Sequence, residues 1–91
     1  MAEKPTVAMI GGTGALGSGL SRRLAAAGFP IIVGSRTAEK AADAAELLPS
    51  TPGTPPPRGT TNLEAAKAAD VVIVTVPFAS QAQILEEIRP A

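Results

Sequence analysis

The spacing of apolar positions changes several times along the chain, and each change marks an element. "TVAMI" (6–10) is a short apolar run of the kind a strand shows when both faces are covered. Leucines 16, 20 and 24 then recur every four residues, the stripe of a helix ending at Gly28. "PIIVG" (30–34) reads as a second buried strand, and Thr37 stands where it can cap a helix through "AEKAADAAELL", with Ala41, Ala44, Ala45 and Leu48 facing inward. "PSTPGTPPPRGTT" (49–61) carries five of the nine prolines, so it is a loop, with room for a brief edge strand near Gly59–Thr61. Thr61 and Glu64 have capping-box spacing ahead of a short Ala-rich helix, and "VVIVTV" (71–76) is the most strand-like run in the chain. Ser80 and Gln83 have the same spacing ahead of a last helix carrying Ile84, Leu85 and Ile88.

Strands alternating with helices predict the α/β class: a Rossmann-like half with a parallel sheet of three or four strands and flanking helices. At 91 residues the chain is one small domain spanning 1–91, with the Pro-rich loop inside it. Apolar residues make up 45 %, but many are alanine, and with two Phe and no Tyr or Trp the core is thin and aliphatic. Eight basic and eight acidic residues cancel, which removes the broad attraction that nucleic-acid binding relies on. The absence of cysteine excludes disulfides and thiolate metal sites, and no metal site is expected. No apolar run approaches the roughly 18 residues of a membrane span, so a cytoplasmic protein without a membrane partner is the expectation.

The candidate chemistry lies between the first strand and the first helix. "AMIGGTGALGSGL" (8–20) fits two glycine spellings, Gly12-x-Gly14-x-x-Gly17 and Gly11-x-x-Gly14-x-x-Gly17, and both indicate a nucleotide pocket. In such a turn one glycine permits the bend, the next lets a pyrophosphate approach the backbone and the third lets helix and strand pack closely. These roles go to Gly12, Gly14 and Gly17, with Ala15 and Leu16 completing the turn. The helix start behind them offers free N–H groups and a positive dipole end to phosphate. The Lys-Ser/Thr ending of a Walker loop is absent.

An NAD-preferring site usually ends its second strand in an acidic residue that holds the ribose 2′-hydroxyl. Here the chain reads "VGSRTAEK". Ser35 can hydrogen-bond a 2′-phosphate, Arg36 can grip it with a planar charged fork and stack on adenine, and Lys40 stands one turn further on. These residues favour NADP(H); the alternative reading makes Arg36 and Lys40 ordinary solvated charges at a helix start, where the dipole disfavours cations.

"GGTGALGSGLSRRLAAAGFPIIVGSRTAEKA" followed by "ADVVIVTVPF" resembles the N-terminal half of NADPH-dependent reductases of the deazaflavin coenzyme factor 420, and the likeness spans nearly the whole chain. The resemblance implies that the glycine turn with Thr13 holds the pyrophosphate, and that Ser35, Arg36 and Lys40 hold the 2′-phosphate. It also implies that the dinucleotide passes beneath the loop at Val76, Pro77 and Phe78. Ala79 and Ser80 depart from the acidic residue and histidine that often follow this aromatic in the family. Family members are longer, and their second half completes the sheet and helps shape the deazaflavin site, so the chain reads as a truncated N-terminal half. Related NADP domains of imine, pyrroline-carboxylate and phosphogluconate oxidoreductases share much of the turn.

The chain has no His, Tyr or Cys to donate a proton, and no catalytic residue is assigned. Hydride exchange between two redox cofactors needs mainly face-to-face positioning, which suits such a site. Asp70 and Glu64 read as structural. The expected function is that of an NADP(H)-binding domain in an oxidoreductase exchanging hydride with the deazaflavin coenzyme as co-substrate. The alternatives are a non-catalytic NADP-binding or sensing module, a truncated or designed nucleotide-binding half, and the NADP domain of one of those related reductases. In the doubly wound order the fourth strand lies beside the first, and "VVIVTV" then presents an edge that carries no charge or proline. A homodimer paired along that edge, or with its final helices packed over it, is expected.

Overall fold

The computed structural model describes residues 4–11, 14–75, 84–86 and 88–90. Its elements alternate as expected: β1 (Val7–Ile10), α1 (Ala15–Ala26), β2 (Ile31–Ser35), α2 (Ala38–Glu46), β3 (Arg58–Thr61), α3 (Asn62–Ala68) and β4 (Val71–Val74). The strands form one sheet in the order β3-β2-β1-β4, and every pairing is parallel. β1 aligns Val7 with Ile31 and Ile10 with Gly34 on one side, and Val7 with Val71 and Ile10 with Val74 on the other. This is the α/β Rossmann-like half that the alternating pattern predicts. The edge strand in the Pro-rich region is also present, and β3 pairs only with β2 among the described residues.

Alternation along the strands divides the core between the two faces of the sheet. Val7, Met9, Ile31 and Val33 pack with Ala25 of α1 and Ala41 and Ala45 of α2. Ala8, Ile10 and Ile32 pack with Ala65 and Ala66 of α3 and with Ile84. Burial on both faces explains why β1 and β2 appear in the sequence as unbroken apolar runs. Ile84 is buried and Ile88 packs beside it, whereas Leu85 is exposed. The cap proposed at Ser80 and Gln83 lies outside the described residues.

The leucine stripe of α1 needs correction. Leu16 is 69 % exposed and only Leu20 and Leu24 pack, partly buried, against the core. The buried positions of this helix are Gly17, Ser21 and Ala25, spaced four apart. Small residues occupy the buried positions, and Leu20 and Leu24 flank them.

Helix ends follow local rules to different degrees. α1 closes with the N–H of Phe29 donating to the Leu24 carbonyl at 3.1 Å and that of Gly28 to Ala25 at 3.0 Å, around a left-handed Gly28 at φ 91°. Thr61 caps α3 as its spacing predicts, its hydroxyl accepting the Glu64 N–H at 3.4 Å. Thr37 holds the cap position of α2 without a side-chain cap bond. α2 lies so close to β3 that a Cβ on Gly59 would fall 2.1 Å from the Ala41 carbonyl carbon and oxygen.

Candidate functional site

β1→α1→β2 builds the sheet in one direction from β1, and β4 extends it in the other. Ligands of open α/β sheets bind at such a switch, outside the carboxyl ends of the strands. The glycine turn follows β1 at this point. Gly11 leaves the strand with φ 71°, in the left-handed region that glycine adopts at no steric cost. Gly11 is the first glycine of the alternative spelling; Gly12, to which the bend is assigned, and Thr13 lie outside the described residues.

Gly14 is the N-cap of α1, with φ −78° and ψ 170°, and no side chain caps the helix. Its N–H donates to the Gly11 carbonyl at 3.4 Å, and its own carbonyl accepts the Ser18 N–H at 2.9 Å. Among the described residues, a Cβ on Gly14 would meet the Gly11 carbonyl oxygen alone, at 3.9 Å. Gly17 is buried, as close packing of helix and strand requires. The first turn of α1 holds no acidic residue, whereas those of α2 and α3 carry Glu39 and Glu64. A helix start with neither a side-chain cap nor a carboxylate keeps its N–H groups and dipole available to an anion.

The second group of candidates stands at the end of the neighbouring strand. Ser35 closes β2 and is buried, while Arg36 and Lys40 are exposed on either side of the α2 N-cap. Leu16 is exposed on the first turn of α1, and nothing is assigned to the Ala15 side chain. Val76, Pro77 and Phe78 lie outside the described residues, directly after Thr75.

Two residues not singled out in the sequence reach this site. The Asn62 Oδ1 accepts the Gly11 N–H at 3.3 Å, and the Thr75 hydroxyl lies 3.0 Å from the Ile10 carbonyl and 3.3 Å from that of Gly11. A polar residue closing an apolar strand was a signal for Thr75. Asn62 offered none, because its contact depends on how β3 is placed relative to β1.

The opposite edge of the sheet is occupied by structure. Asp70 accepts the Thr6 N–H at 3.0 Å through Oδ2 and donates its own N–H to the Thr6 carbonyl at 2.9 Å, while Glu64 stands at the other end of α3. They form no carboxylate pair. The Lys4 ammonium donates to the Ala27 carbonyl and lies 5.2 Å from the Phe29 ring centroid, and Thr54 ties the Pro-rich loop to the Gly28 carbonyl at 3.2 Å. A cavity of about 400 Å³ beside Lys4, Thr6, Gly28 and Thr54 belongs to this seam, at the far end of the strands from the glycine turn. Among the described residues no helix is long and apolar enough to cross a membrane, and no cluster of acidic residues could hold a metal ion.

The class defined by sheet order, switch point and glycine turn is a Rossmann-like nucleotide-binding half. The chain belongs to the family described as "NADP oxidoreductase coenzyme F420-dependent", whose model matches residues 6–91. It is 47 % identical over 85 residues to the F420-dependent NADP reductase of Methanothermobacter thermautotrophicus, covering 91 % of this chain and 37 % of that protein. It is 45 % identical over 87 residues to the enzyme of the same name from Methanothermobacter marburgensis, covering 93 % of this chain and 39 % of that protein. A probable arogenate/prephenate dehydrogenase of Methanocaldococcus jannaschii is 36 % identical over 85 residues, covering 93 % of this chain and 18 % of that protein. The chain thus spans well under half the length of these curated relatives.

Proposed function

We propose that this chain is the NADP(H)-binding half of an oxidoreductase that exchanges hydride between NADP(H) and the deazaflavin coenzyme factor 420. The observation that carries the reading is the start of α1: a left-handed glycine after β1, a glycine N-cap with no side-chain cap, and a first turn free of carboxylates. These features fit a pyrophosphate, which needs close backbone approach and free N–H donors and would be repelled by an acid. The family and its relatives supply the choice of reaction.

In this reading Gly12, Thr13 and Gly14, with Ala15 and Leu16, receive the pyrophosphate, and Gly17 lets α1 approach the sheet closely enough to aim its N-terminus there. Ser35, Arg36 and Lys40 receive the 2′-phosphate: the serine through its hydroxyl, the arginine through paired N–H groups, the lysine as a point charge. Val76, Pro77 and Phe78 follow β4 in the chain, and the dinucleotide would pass beneath their loop. The bound nicotinamide supplies the hydride. The chain's own task is to bind and orient, in keeping with a sequence that holds no His, Tyr or Cys. A single domain over 1–91 and a cytoplasmic setting accompany this reading.

Adding oxidised deazaflavin to chain and NADPH tests the function through loss of NADPH absorbance. Turnover supports the reductase assignment, NADP(H) binding without turnover leaves a binding half, and no binding removes both. The homodimer is a further part of the proposal: Val71 and Val72 on β4 are 41 % and 40 % exposed, an apolar edge that a second copy would cover. Sedimentation across a concentration series tests it, and a strict monomer at high micromolar concentration contradicts it.

A further inference from the structure

Gly11 has left the ladder that orders the rest of β1, whose register with both neighbours ends at Ile10. Its peptide groups are nonetheless held from two sides. Asn62, the first residue of α3 and 2 % exposed, accepts the Gly11 N–H at 3.3 Å. Thr75, just past β4, places its hydroxyl 3.0 Å from the Ile10 carbonyl and 3.3 Å from the Gly11 carbonyl, so that one proton serves both. The Thr75 N–H also donates to Ile10, at 3.0 Å. Two side chains from flanking elements thus replace the strand partners that Gly11 lacks.

The sheet makes room for this arrangement. A Cβ on Gly34 would fall 2.9 Å from the Asn62 Oδ1, 3.1 Å from the Ile10 Cδ1 and 3.2 Å from the Ala65 Cβ. β2 is therefore bare where the Asn62 carboxamide lies, and Gly34 and Asn62 work as a pair.

We propose that Asn62 and Thr75 are positioning residues that hold Gly11, where the glycine turn leaves β1, in place before the nucleotide arrives. The inference rests on the reading that the NADP(H) pyrophosphate lies against this turn. A loop already fixed in its bound shape loses less freedom on binding than one that must be ordered by the ligand. The chemistry of the pair fits the task. The Asn62 carboxamide accepts an N–H without placing a negative charge behind the phosphates, as a carboxylate would. The Thr75 hydroxyl adds a second donor at two carbonyls, of which Ile10 already accepts the Thr75 N–H and Gly11 the Gly14 N–H.

The test compares two ligands that share the 2′-phosphate but not the pyrophosphate, NADP⁺ and adenosine 2′-monophosphate, on the unmutated chain and on Thr75→Val, Thr75→Ser and Asn62→Ala. Thr75→Val keeps the shape and removes the donor; it and Asn62→Ala should weaken NADP⁺ by about tenfold, the worth of a lost hydrogen bond. Both should bind adenosine 2′-monophosphate as the unmutated chain does, and Thr75→Ser should bind NADP⁺ normally. Unchanged NADP⁺ affinity in Thr75→Val overturns the proposal, as does an equal loss of both ligands. Should Asn62→Ala fail to fold, the threonine pair decides. Amide hydrogen exchange separates the clamp from the functional reading: Gly11 should lose protection in Asn62→Ala while β1 keeps its own. If the unmutated chain binds neither ligand the functional reading falls, and a Gly11 amide still fully protected in Asn62→Ala would overturn the clamp itself.

Discussion

The glycine turn after β1 and the corner after β2 stand at the ends of adjacent strands, yet the protein builds them differently. At the turn the fold acts on Gly11, which is left-handed and carries two side chains on its peptide groups, and it buries Gly17. The corner presents Arg36 and Lys40 to solvent, with only Ser35 buried. Residues of the turn answer to the chain's own geometry, so changing them should cost stability and binding together. On the proposed reading the exposed charges at the corner meet the ligand, so changing them should alter what is bound more than it alters stability.

Gly59→Ala is expected to have the largest effect and to remove the footing of the corner. Its Cβ would meet Ala41 backbone atoms at 2.1 Å, and backbone cannot swing aside as a side-chain tip can. A loss of about 3 kcal/mol or more in urea unfolding, the upper end of overpacking costs, is expected. A variant as stable as the unmutated chain would show that α2 and β3 are not in such close contact. Arg36→Ala should follow, losing about 1.5 to 3 kcal/mol of preference for NADP(H) over NAD(H), the range for hydrogen bonds to charged groups. Its unfolding midpoint should barely move, because surface substitutions usually stay within about 0.5 kcal/mol. Equal losses in stability and preference would erase the contrast between the two regions.

Gly11→Ala puts a side chain on a left-handed backbone and should cost about 1 to 2 kcal/mol of stability. Calorimetry and nucleotide titration on the same sample should show both falling; affinity lost without stability would make the turn resemble the corner. The smallest effect is expected for Thr61→Ala, which removes the cap of α3 one residue before Asn62. Caps contribute about 1 kcal/mol, and a bond 3.4 Å long belongs toward the lower end, so a loss of roughly 0.5 kcal/mol should appear in thermal unfolding.

What could be read in the sequence divides along the same line. β1 and β2 were legible because strands buried on both faces are apolar without interruption, β4 was legible as an apolar β-branched run although Val71 and Val72 are exposed, and the Rossmann-like order followed from the alternation of strands with helices. Ser35, Arg36 and Lys40 could be proposed because each offers its own chemistry within a few residues of a strand end. Leu16 misled because a four-residue period marks a stripe without saying whether leucines or the small residues beside them face the sheet. Gly11 was left without a role because adjacent glycines are alike in sequence, and its left-handed φ is a property of the folded chain. Asn62 was invisible because its contact requires β3, a bare Gly34 on β2 and the end of β1 to come together in the folded sheet.

The central claim is that this chain selects NADP(H) through the corner after β2. Titrating it with NADP(H) and NAD(H) under one set of conditions tests that claim most directly. The account predicts tighter binding of the nucleotide carrying the 2′-phosphate; equal affinities for the two would contradict it.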